Sequence, residues 1–218
     1  DISKDLDDNF FPEWEKRYPG IVRGAVGQAE GEAQFIQEVL SLYLAAFFLM
    51  YWLLAVAFSS YWMPLIIMTA IPFGFMGAIY GHLIYGIPMA LFSYFGIGAA
   101  AGVVINDNLV LMDYIKRLRD RGEGAMSSVI DAGVKRFRPI FLTTVTTFVG
   151  LIPMMAERST QAQFLHPAVI ALAFGVLFAL FVTLFLVPSL YCIGEDLSEL
   201  RSKGKLSFRK LLTPSNAE

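Results

Sequence analysis

Residues 102–114 read Gly-Val-Val-Ile-Asn-Asp-Asn-Leu-Val-Leu-Met-Asp-Tyr, and they pose the sharpest chemical question in the sequence. An ionisable group inside a bilayer is costly, about 2.5–3.5 kcal/mol for Asp at the centre of a spanning helix on insertion scales, so it needs a reason. Asp107 precedes Ile115 by eight residues, and there the apolar stretch gives way to Lys116-Arg117-Leu118-Arg119. At about 1.5 Å per residue that places it roughly 12 Å from the interface, near mid-membrane. A carboxyl group at that depth can be protonated and deprotonated during a transport cycle. The competing reading makes Asn106, Asp107 and Asn108 a polar cluster that only hydrogen-bonds helix to helix, and the sequence leaves both open. Asp113 lies near the interface, where a solvated carboxylate is ordinary.

A second polar patch comprises Thr143, Thr144, Thr146 and Thr147. Thr143 shares a helical face with Thr146 and Thr147, at i+3 and i+4. Hydroxyls so placed can relay protons or water, although such threonines more often bond back to their own helix or across to a neighbour. Arg136 and Arg138 stand just before the patch. They suit phosphate anchoring, and a long Arg side chain also reaches inward to a buried carboxylate.

Other chemistry lacks its residues. His82 and His166 have no Cys or carboxylate at ligand spacing, so no metal and no cofactor is expected. No nucleophile elbow, phosphate loop or dinucleotide fingerprint occurs. Asp107 and Asp113 share one helix about 9 Å apart along its axis, which does not make an intramembrane hydrolase. An enzyme is not expected. Cys192 is the single cysteine, cannot form an intrachain disulfide, and reads as a packing residue. Gly98 and Gly102 have the spacing of a helix-packing pair.

These groups need a scaffold whose solvent is lipid. Of 218 residues, 56% are hydrophobic and only 17% charged, which does not suit a water-facing surface. No Asp, Glu, Lys or Arg occurs between Glu38 and Asp107, and further uncharged runs cover 139–156 and 159–194. With roughly 20 apolar residues per span, the pattern gives five spanning helices at about 35–58, 62–85, 91–115, 139–155 and 168–193. Met126, Val129, Ile130, Gly133 and Val134 recur at helical spacing between basic residues, so residues 124–135 read as an amphipathic helix on the membrane surface. The alternative is an amphipathic helix packed on another domain. The expected fold class is an all-α membrane protein: a bundle of five transmembrane helices plus one cytoplasmic interfacial amphipathic helix.

Basic residues set the expected orientation. Lys116, Arg117, Arg119, Arg121, Lys135, Arg136 and Arg138 follow the third span, and Arg201, Lys203, Lys205, Arg209 and Lys210 follow the fifth. Both regions are expected in the cytoplasm, with residues 195–218 as a tail, and the acidic residues 1–34 on the opposite side. Residues 21–26 read as one short strand after a Tyr18-Pro19-Gly20 turn, and a lone strand needs a sheet from elsewhere. The chain opens at Asp1 without Met or a signal segment, so a piece of a longer protein is expected. The net charge of −2 implies no nucleic-acid partner.

The 102–114 motif, the basic loop and its helix, Arg136-Phe-Arg-Pro-Ile-Phe-Leu-Thr-Thr144 and Gly150-Leu-Ile-Pro153 together resemble the resistance-nodulation-division exporters, the AcrB-like family, across residues 35–194. The resemblance implies twelve spans in two pseudo-symmetric halves, of which this chain would be spans eight to twelve, preceded by the end of a periplasmic porter-type domain at residues 1–34. It implies proton/substrate antiport driven by the proton-motive force in a bacterial inner membrane. The implied partners are the lipid bilayer, the N-terminal half of the same transporter, two further copies in a homotrimer, and a periplasmic adaptor with an outer-membrane channel. In drug-exporting members a lysine pairs with two aspartates of the other half, and an arginine and a threonine complete the relay. Those positions fall on Asn106, Arg136 and Thr143, so the lysine is replaced and Asp107 becomes the centre of the expected coupling set, with Asn108 beside it. Asp113, Arg138 and Thr147 are secondary candidates. The alternative class is an autonomous five-span scaffold or channel subunit.

Overall fold

The computed structural model describes residues 9–17 and 28–197. The expected strand at 21–26 and most of the tail lie outside them. Every described element is a helix, and five helices are long and apolar enough to cross a membrane. Residues 1–38 form one compact unit, whose described part is α1 (Phe11–Arg17) and the start of α2 (Gln28–Phe58). The second unit, residues 39–218, holds the bundle.

The first span is Gln34–Phe58, the apolar part of α2. The second is two helices, α3 (Trp62–Met68) and α4 (Ala70–Tyr85), which break at Thr69. Gly86 ends α4 at φ +65°, a left-handed conformation that glycine adopts without a Cβ clash, and the Ile87 amide closes onto the His82 carbonyl at 3.1 Å. The third span lies in α5 (Leu91–Asp120), which runs past the expected end at 115 and carries its basic residues out of the apolar zone on the same helix.

The expected surface helix and fourth span are one continuous helix, α6 (Ala125–Ala156). Pro139 sits inside it, where it removes one ladder bond, yet the helix passes through. Membrane helices tolerate such a residue when neighbours restore the lost contacts. Met126, Ile130 and Val134 still form an exposed apolar stripe on the first half of α6, and it extends into the stacked rings of Phe137 and Phe141. The fifth span, α7 (Thr160–Leu197), starts eight residues before the expected 168. Ser159 caps it by accepting from the Ala162 amide. Only residues 157–159 remain as a link, where the Glu157 carboxylate accepts from the Arg158 and Ser159 amides at 3.0 Å each and is thereby held below its ordinary pKa.

α7 is the hub. Of its most apolar stretch 56% is buried, against 44% for the second and third spans, 17% for the fourth and 6% for the first. Small residues on its neighbours let them approach it closely, the usual means of packing where lipid removes the hydrophobic drive. A Cβ on Gly77 would sit 2.5 Å from the Phe174 carbonyl oxygen, and one on Gly96 would overlap the Ala168 carbonyl. Gly98 makes room for the Tyr43 hydroxyl, whereas Gly102 meets nothing, so only one member of the expected pair packs. Inside α7, Val182–Leu186 form a π-helical turn just before Pro188, which offers no N–H to the Leu184 carbonyl.

Candidate functional site

Successive residues of a helix point about 100° apart, so Asn106, Asp107 and Asn108 look three ways from α5. Asn108 is fully buried and reaches the second span, with Nδ2 donating to the Ile67 carbonyl at 3.5 Å. Asn106 is exposed on the surface of the bundle. Asp107 lies between them, half-buried, with no ion pair among the described residues.

α6 presents the matching patch. Thr144 turns inward and is 2% exposed, whereas Thr143 and Thr146 are exposed and Thr147 is half-buried. The Thr143 hydroxyl donates to the Ile140 carbonyl at 2.9 Å, and that of Thr146 donates to the Leu142 carbonyl at 2.7 Å. Their protons are therefore used within α6, and their oxygen lone pairs remain open to a donor from outside.

Arg136 fixes the register between the two helices. Its guanidinium carbon lies 5.1 Å from the centroid of the Tyr114 ring, and the Lys135 ammonium lies 5.6 Å from the same centroid. Only residues 121–124 link α5 to α6, so the helices run antiparallel. Counting seven residues from that contact on each helix leads to Asp107 and to Thr143, each about 10 Å along the axis. Along its own helix Asp107 thus stands two turns from Tyr114, and Thr143 two turns from Arg136. Its buried Nε has no partner among the described residues.

The remaining sequence candidates belong to that basic end. Asp113 pairs with Arg117 at 2.9 Å, with 70% of the arginine side chain exposed, so this is a surface ion pair of small energetic weight. Arg138 is exposed. Two contacts there carry no local sequence signal. The Lys116 ammonium donates to the Phe58 carbonyl at 2.7 Å, capping the end of the first span, and Arg119 pairs with Glu195 at 3.3 Å while Tyr191 donates to the same carboxylate at 3.0 Å. At the opposite end the buried His82 bonds the Ala78 carbonyl at 2.8 Å and the Ser93 hydroxyl at 2.9 Å, a packing role. Among the described residues no group of three His, Cys, Asp or Glu is placed to hold a metal ion.

The third span thus carries a half-buried carboxylate and an exposed amide, and the fourth two exposed hydroxyl oxygens. The model of the AcrB/AcrD/AcrF family matches residues 17–195. The multidrug resistance protein MdtC of Proteus mirabilis (strain HI4320) is 30% identical over 186 residues, covering 83% of this chain and 18% of its own length. MdtC of Serratia proteamaculans (strain 568) is 29% identical over 192 residues, covering 86% and 18%. The chain therefore spans under a fifth of these relatives. The crystal structure of a heavy metal efflux pump superposes with a TM-score of 0.74 at 22% identity, over 90% of this chain and 20% of that one, a likeness of fold.

Proposed function

This chain belongs to the AcrB/AcrD/AcrF family of efflux transporters, and from that premise we propose that it forms the C-terminal membrane part of an exporter driven by the proton-motive force. Asp107 takes up and releases the coupling proton. Asn106 and Thr143 line the same surface and hold whatever the other half of the transporter presents to it. The observation that carries the reading is the half-buried Asp107, without an ion pair among the described residues, on a helix long and apolar enough to cross a membrane. A carboxylate in such a helix is too costly to keep without a use.

In this reading the protein lies in a bacterial inner membrane, with residues 1–34 in the periplasm and residues 195–218 in the cytoplasm. The basic stretches at 116–138 and 201–210 support that orientation. Its surface of Asn106, Asp107, Thr143 and Thr146 docks the N-terminal half, and the whole assembles as a trimer with a periplasmic adaptor and an outer-membrane channel. Multidrug resistance is named for the MdtC relatives and heavy metal efflux for the solved structure, and substrate choice rests with domains outside these residues. Arg136, held on Tyr114, supports the contact between the third and fourth spans.

The test is Asp107→Ala in the full-length transporter. Export should fall to the level of cells without the protein, while membrane insertion and protein amount stay as in wild type. Normal export would make Asp107 a packing residue.

A further inference from the structure

The second and fifth spans are both interrupted, each by its own chemistry. In the second, Pro72 has no N–H for the Met68 carbonyl and the Thr69 hydroxyl donates back to the Ile66 carbonyl at 2.6 Å, so the helix breaks between α3 and α4. In the fifth, the Val187 amide donates to the Val182 carbonyl, five residues back, and Pro188 has no N–H for the Leu184 carbonyl. The Ser189 hydroxyl there donates back to the Phe185 carbonyl at 2.6 Å. Bends in helices have such causes, and π-helical turns are frequent at functional sites. The third span has no proline and runs unbroken from Leu91 to Asp120.

The two interruptions lie in one layer of the bundle. Close contacts bracket them: a Cβ on Gly175 would lie 3.1 Å from the Gly74 carbonyl oxygen, and one on Gly194 would lie 2.4 Å from the Trp62 indole nitrogen. Thr69 falls between Trp62 and Gly74, and the π-helical turn falls between Gly175 and Gly194. That turn touches both α4 and α5. Met68 and Ala70, on either side of the break, share one buried apolar cluster with Val182 and Val187 at the two ends of the turn. From the unbroken third span, Asn108 Nδ2 reaches the Ile67 carbonyl beside the break at 3.5 Å.

A closely packed helix bends alone only at a cost, because the interior is dense and the bend opens a gap against its neighbour. Two packed helices interrupted in the same layer avoid that gap by bending together. We propose that residues 69–72 and 182–188 form one shared hinge, about which the basic-end segments of the second and fifth spans, residues 62–68 and 189–197, swing as a pair against the unbroken third span. Hinges of this kind are a few residues at element ends that absorb the change in backbone angles. Trp62, seated on Gly194, keeps the two segments together. Arg119 and Glu195, paired at 3.3 Å through long side chains, tie them to the third span and follow the motion. The hinge does not depend on Asp107 carrying a proton.

The test is hydrogen exchange of the full-length transporter, wild type against Pro72→Ala and Pro188→Ala, read in segments 66–73 and 182–190 on the amides that all the proteins share. Each substitution returns one ladder donor to its own helix and should slow exchange there by about fivefold. With a shared hinge, the segment on the other helix slows by a similar factor in each variant. Pro153→Ala, near the end of the fourth span, should leave both segments at wild-type rates. Slowing confined to the substituted helix would overturn the proposal, since the two bends would then be independent. Equal slowing in Pro153→Ala would overturn it in favour of a general stiffening. Wild-type exchange in the two segments no faster than in residues 74–81 and 170–178 would also overturn it. Should one proline variant fail to fold, the other decides alone, because the segment that it must slow lies on the opposite helix.

Discussion

Asn108 and Asp107 are neighbours in sequence and opposites in setting. Asn108 is enclosed by residues of this chain and held to the second span, whereas Asp107 stands half-buried, without an ion pair among the described residues. The inward side of α5 is committed to packing, with Gly96 against Ala168, Ala100 against Gly175 and Leu111, Met112 and Ile115 fully buried. The outward side keeps Asn106 and Asp107, which have no hydrogen bond or ion pair among the described residues. A helix with such a division teaches where to look for function: polarity that the bundle has already used holds the fold, and polarity it leaves open awaits a proton or a partner.

The inward side should be the more fragile. Gly96→Val drives a branched side chain into the Ala168 backbone, which has no flexible end to move, and should cost about 1–3 kcal/mol or more of overpacking. The expected result is a sharp loss of folded protein, measured as the monodisperse fraction in detergent. A well-folded Gly96→Val protein would break the division between the two sides. A smaller effect is expected from Lys116→Met, which removes the bond to the Phe58 carbonyl at the end of the least buried span. A hydrogen bond from a charged group is worth about 1.5–3 kcal/mol, so the thermal midpoint should drop by a few degrees with insertion unchanged. Asp113→Asn should do least, under about 1 kcal/mol in stability, because its partner Arg117 is largely in solvent. Export through the Asp113→Asn protein should match wild type, and a large loss there would move the coupling carboxylate from position 107 to 113.

The five spans were legible because charge is absent from long stretches and returns abruptly at Lys116 and Glu157. Helix ends were less so. Pro139 opens the expected fourth span, but it lies within a single helix because tertiary neighbours outweigh one missing ladder bond. Residues 160–167 precede the expected fifth span, and they are helix behind a Ser159 cap. Within the site, the back-bonded threonines followed from their chemistry. The contact of Arg136 with Tyr114 did not, because it depends on which ring a long side chain finds. Nor did the contact of Lys116 with a carbonyl 58 positions away, which has no local pattern.

The central claim concerns Asp107 as the proton carrier, and it is tested most directly by imposing a pH gradient on proteoliposomes that contain the full-length transporter. Wild type should move substrate when the gradient is applied and stop when it is collapsed. Asp107→Asn, which preserves shape and removes the titration, should bind substrate normally and show no gradient-driven transport. Gradient-driven transport by Asp107→Asn at the wild-type rate would contradict the account.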